Sequence, residues 1–166
     1  MAKRPARPDL TVTFHKVASA RPTAWWEAVR RTGGVVRGGY MPIGRGVIPH
    51  DLAHMAAESV LGLRHGFWGL LALGATYRHG TRQRATRNGR LLVREHRQQL
   101  DAAERLGNHH HDLWVSGKST PVGAIFDQLA AAWSAVPDEA SLVVTWPMLD
   151  FVSPEANDAL PTTRRS

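Results

Sequence analysis

His50, Asp51, His54 and Glu58 are the side chains best suited to chemistry, and they share one short run, Pro49 to Leu61. On a helix, residues four apart are near neighbours, so His50 and His54 aim at one small volume. At ~100° per residue, His50, His54 and Glu58 span an arc of roughly 80°. Leu52, Met55, Ala56, Val60 and Leu63 fall on the other side. The pattern predicts a helix with an apolar back and a face of His, His and Glu. Two imidazoles at this spacing hold a divalent metal or work as an acid–base pair. Glu58 lies ~9 Å along the axis from an ion centred between the histidines, beyond a glutamate's reach. It is expected to support His54 or to serve a second ion. The third ligand must come from elsewhere. His96 is the first candidate, because a histidine inside an apolar stripe needs a reason, and His109, His110 and His111 follow.

A structural reading competes. The same face can be solvated, Asp51 can be favoured by the helix dipole, and His96 can be a hydrogen-bonded core residue. Against a solvated face, no Lys or Arg occurs between Arg45 and Arg64, in a chain with 21 basic residues. The spacing also resembles the His-Glu-x-x-His helix of zinc metallopeptidases, whose Glu is the general base. Asp51 stands in that position, one methylene shorter, and so hangs further from a metal-bound water. A wider likeness runs from Ile48-Pro49-His50-Asp51-Leu52-Ala53-His54 through Glu58 and Leu61-Gly62-Leu63 to Gly66-Phe67-Trp68-Gly69. It resembles small uncharacterised actinobacterial proteins with an (I/L)PHDLxHxxxE helix followed by a glycine–aromatic segment. That resemblance implies a shared site and names no substrate.

A length of 166 residues suits one domain, expected over residues 10–150, with a basic tail at 1–9 and a loose tail at 151–166. There is no cysteine, so disulfides, thiolate ligands and a cysteine nucleophile are excluded. Any metal must be held by His, Asp or Glu, with zinc the first expectation. The basic N-terminus has no apolar segment behind it, unlike a secretory signal. The longest apolar run, 66–77, is too short to span a bilayer. The cytoplasm is the expected location, with no membrane partner.

The elements that must position the site follow from periodicity. Leu10, Val12 and Phe14 alternate with Thr11, Thr13 and His15, which predicts a half-buried strand. Ala24 to Arg31 fits helix or strand spacing, and Gly33-Gly34 before Val35-Val36 favours a hairpin. A three-stranded antiparallel meander over 10–41 is expected, then a glycine-rich loop at 42–46. A short buried helix follows over 66–77. Another spans 91–106, with Leu92, His96, Leu100, Ala103 and Leu106 as its stripe and Gly107 as its stop. Residues 108–112 are expected as a loop. Ser119 or Thr120 caps a further helix that starts at Pro121 and runs to about Val136, and Leu142 to Trp146 forms a late strand. The fold class is therefore α+β: an N-terminal antiparallel sheet, three or four helices and a short late strand.

The net charge is +7, and from Arg78 to Arg97 there are seven arginines and one acid, Glu95. Arg82, Arg84, Arg87 and Arg90 are candidate anion binders within this stretch. Phosphate binding by such a stretch is salt-steep and largely sequence-blind, and Trp25, Trp26 and Trp68 are candidate stacking platforms. No RNP pattern, zinc finger or helix-turn-helix supports nucleic acid, and no Walker or dinucleotide glycine loop is present. The favoured reading is a metal-dependent hydrolase acting on a small molecule or peptide, with Asp51 orienting a histidine or a water. The other reading is a basic module binding nucleic acid or another anionic partner through Arg78 to Arg97.

Overall fold

In the antiparallel sheet Phe14 lies between Trp26 on one side and Leu142 on the other, and Val12 lies between Ala28 and Val144. These registers join β1 (Leu10–Val17) to β2 (Thr23–Arg30) and to β5 (Ser141–Trp146). β3 (Val35–Arg37) and β4 (Met41–Pro42) both pair with β2, so the sheet runs β3-β2-β1-β5 with β4 beside β2. This is the expected meander with its late strand. The structure is a computed structural model that describes residues 7–43, 47–77, 81–82 and 84–151. The outer parts of both expected tails, residues 44–46 of the glycine-rich loop, and Arg78 lie outside the described residues.

β2 settles as a strand because Ala24, Trp26 and Ala28 all point inward and are fully buried. Trp26 needs flat neighbours, and Gly38 supplies one: a Cβ there would sit 2.4 Å from the indole. The Gly33-Gly34 turn is met, with φ of +90° and +86° at the two glycines.

One face of the sheet carries the helices. They are α1 (His50–Leu61), α2 (Phe67–Leu73), α3 (Arg87–Glu95), α4 (Arg97–Val115) and α5 (Gly123–Ala135). Leu52, Ala53, Met55, Ala56, Trp68, Leu71, Phe126, Leu129 and Trp133 complete one core with the inward strand residues. At ~25 cal/mol per Å² of apolar surface removed from water, this layer is the main stabilising term. α1 ends as expected at Gly62, which is left-handed at φ 67°. Among the described residues, no helix is long and apolar enough to cross a membrane.

The helix expected at 91–106 differs in both bounds. It begins at Arg87, because the Thr86 hydroxyl accepts from the Gly89 N–H at 3.0 Å and caps the first turn. Gly89 is not a breaker here; it gives room to Thr76, whose hydroxyl would lie 2.2 Å from an added Cβ. The run breaks once, at His96, which closes α3 and opens α4. It does not stop at Gly107, and residues 108–112 are helical rather than a loop. Of the expected stripe only Ala103 is buried, while Leu106 is 38% exposed. The reason for the continuation is that Gly107 is spent on a close approach to α1, not on a turn.

Candidate metal centre

α1 and α4 run antiparallel, with His50 against Asn108 and His54 against Glu104. The side chains at this crossing set the chemistry. The Nε2 atoms of His50 and His54 lie 3.1 Å apart. Asn108 Oδ1 lies 3.2 Å from the first and 3.1 Å from the second. The Asn108 amide is oriented by its other end, where Nδ2 donates to Glu104 Oε1 at 3.3 Å. That leaves Oδ1, an acceptor, for the two histidines.

The far side of each ring meets a carboxylate. His50 Nδ1 is 3.4 Å from Asp51 Oδ1, and His54 Nδ1 is 3.5 Å from Glu104 Oε2. An Nδ1–H held by a carboxylate leaves the Nε2 lone pair free, which is the tautomer a metal requires. With both rings in that state, three lone pairs face one another across 3.1–3.2 Å, and only a proton or a cation between them makes the arrangement favourable. The two rings hold protons unequally. The hydrogen bond to Asp51 raises His50 above the ordinary histidine range, and burial pushes His54 below it.

Each residue is placed by an element. His54 is 4% exposed, sealed between α1 and the backbone of α4. Gly107 makes this fit, since a Cβ there would lie 2.5 Å from His54 Nδ1. His50 and Glu104 are half exposed, so the site opens to water on one side. Asp51 is tied to the sheet and to α2: Trp26 Nε1 donates to its Oδ2 at 2.7 Å, and Trp68 Nε1 donates to its main-chain oxygen at 3.0 Å. Asp51 therefore holds His50 in place and is not the free base of a peptidase helix.

His50, His54 and Glu104 each offer one ligand atom, and these lie within 4.8 Å of one another. Donors around one ion with bonds of ~2.0–2.2 Å stand roughly 3.0–3.5 Å apart. The two histidines already have that spacing. Glu104 is half exposed and meets His54 at Nδ1, 3.5 Å away. One turn further along α4, His111 has a buried Nε2 with no hydrogen-bond partner. Its pKa is lowered first by burial and then by the charge of His50.

The expectations for Glu58 and His96 need correction. Glu58 is 2% exposed, and its carboxylate accepts from the N–H groups of Trp68 at 3.0 Å and Gly69 at 3.2 Å. It caps α2, whose N-cap residue Gly66 has no side chain to do so, and neither bonded partner is His54. Burial pushes its pKa up to about 8. Gly66 leaves the space, since a Cβ there would lie 2.4 Å from the Glu58 carboxyl carbon. His96 stacks on His65 with centroids 4.2 Å apart, and no described cluster joins it to His50 and His54. It sits at the junction of α3 and α4. His109 and His110 lie on α4, and His110 Nδ1 bonds the Thr120 hydroxyl at 2.8 Å.

Among the described residues the arginines do not gather as one patch. Arg82 stacks on Tyr40 at 4.7 Å, in a concavity it shares with Glu27 and Arg37. Arg84 and Arg87 are exposed, and Arg90 faces a separate groove between α3 and α4. Trp26 and Trp68 are fully buried and so are not stacking platforms, while Trp25 stacks on His15 at 4.0 Å.

Sequence reasoning missed Asn108 because Gly107 was read as a stop, and it passed over Glu104, which lay inside the expected helix. The signal for Glu104 and Asn108 was the same i, i+4 spacing that marked the histidines, on a helix taken to end before Asn108. Compared with protein-family models, curated proteins and solved structures, the chain matches none.

A glycine inside a helix is ordinarily ~1 kcal/mol worse than alanine. At position 107 the sign is expected to invert. Gly107→Ala should lose about 1–3 kcal/mol through overpacking against His54 and should weaken zinc uptake. Urea unfolding and a zinc titration of the variant check both.

Proposed function

We propose that this chain is a divalent-metal-dependent enzyme of hydrolytic type, with the ion held between α1 and α4 by His50, His54 and Glu104. One observation carries the reading: two imidazole Nε2 atoms at ligand spacing, with an amide oxygen equidistant from both and a carboxylate behind each ring. Zinc fits a set of two histidines and one glutamate, and in such open sites it lowers the pKa of a bound water toward ~7. The chain's own groups do the rest. Asp51 fixes the tautomer of His50, Asn108 holds both rings in register, and the open side admits water and substrate.

Hydrolysis of 4-nitrophenyl acetate and 4-nitrophenyl phosphate tests the reaction class. The account expects turnover that needs added zinc and disappears in His50→Ala/His54→Ala. Zinc binding without metal-dependent turnover of either ester, or turnover unchanged in the double variant, would refute the hydrolytic reading.

A further inference from the structure

A second concavity lies along the same helix. Arg90 and Arg94 of α3 and Arg97 of α4 line a groove of about 730 Å³, the size of a small-molecule site. Its apolar surface comes from Val93, Leu100 and the ring of Tyr77. Among the described lining residues none is acidic. Arg97 has one acid nearby, Asp101, at 3.7 Å, and both side chains are at least half exposed, so little of its charge is cancelled. Three arginines line an apolar floor, one of them (Arg90) with its Nη1 donating to the Ala85 carbonyl at 3.3 Å, and the planar donors of guanidinium groups suit phosphate or carboxylate oxygens.

The groove and the histidine cluster share a face of α4. Arg97, Leu100, Glu104 and Asn108 follow one another at intervals of three, four and four residues, which keeps them on one side of a helix. Leu100 and Glu104 are about 6 Å apart along the axis. A small molecule whose acidic head lies among the arginines therefore extends naturally along α4 toward the ion site.

We propose that this groove binds a small phosphate ester with an apolar body, and that it is the substrate-holding part of the site on α1 and α4. The groove stands on its own residues; only its link to catalysis rests on the proposed function.

Phenyl phosphate is the probe, titrated calorimetrically into full-length protein. Saturable binding is expected without zinc. Arg90→Ala/Arg94→Ala, at exposed positions, should bind about tenfold more weakly or worse. Arg84→Ala, outside the groove, should bind as wild type does. His50→Ala/His54→Ala should keep phenyl phosphate binding within about twofold while losing zinc. Absence of binding at millimolar probe, or an equal loss in Arg84→Ala, overturns the groove. So does a single-stranded oligonucleotide that outcompetes the probe and is indifferent to Arg90→Ala/Arg94→Ala. Wild-type protein that binds phenyl phosphate but no zinc overturns the metal reading and leaves the groove standing. Zinc-loaded Arg90→Ala/Arg94→Ala that hydrolyses 4-nitrophenyl phosphate with an unchanged KM overturns the link between the two.

Discussion

Glu58→Ala is expected to lose about 3–5 kcal/mol of stability, out of the roughly 5–15 kcal/mol that typical domains possess. The substitution leaves the N–H groups of Trp68 and Gly69 buried without their acceptor and opens a cavity where the carboxylate lay. Glu58→Gln keeps the volume and one acceptor oxygen and should lose less. The pH dependence separates this role from an ordinary packing loss. The folded pKa is raised to about 8, against roughly 4.3 in an unfolded chain. A carboxyl raised in this way contributes stability that is fully present below the unfolded value and is lost as pH climbs through the folded one. Wild-type protein should therefore grow less stable between about pH 4.5 and 8 from this group, and Glu58→Gln should be flatter in that window. Urea unfolding at several pH values reads both slopes, and parallel slopes would remove the assignment.

His54→Ala is expected to have the largest effect on metal binding. His54 is the buried member of the pair, and its Nε2 meets both His50 and Asn108. Its loss removes a ligand and the anchor of two others. Zinc affinity should fall by more than the roughly 10–100-fold typical of losing an outer partner. Competition with a chromogenic chelator measures this, with circular dichroism confirming that the variant folds. An affinity within a few fold of wild type would show that the ion, if bound, sits elsewhere.

Much of the frame was legible in the chain. Alternation fixed β1, and the inward Ala24, Trp26 and Ala28 settle β2, where local spacing alone fitted two answers. The His50–His54 pair was readable because helical spacing is a local property. What closes over that pair is not local. α4 comes from a segment more than forty residues away, and its Gly107 carries two meanings in sequence, a helix end or a close contact. Only the approach of His54 decides between them. Glu58 failed for a related reason. A shared arc on a helix shows which residues face one way, not what each meets there, and Glu58 meets the start of α2 rather than the histidines. The arginine stretch likewise looked continuous in sequence, but the break at His96 and the departure of Arg82 toward Tyr40 leave, among the described residues, Arg90, Arg94 and Arg97 around one groove.

X-ray absorption at the zinc edge of the loaded protein tests the ion site most directly, because it counts the ligands of the bound metal. The account predicts two imidazoles at about 2.0–2.1 Å completed by oxygen. Substitution of both His50 and His54 by alanine should abolish that signal. A shell of oxygen alone, or one unchanged in the double variant, would contradict it.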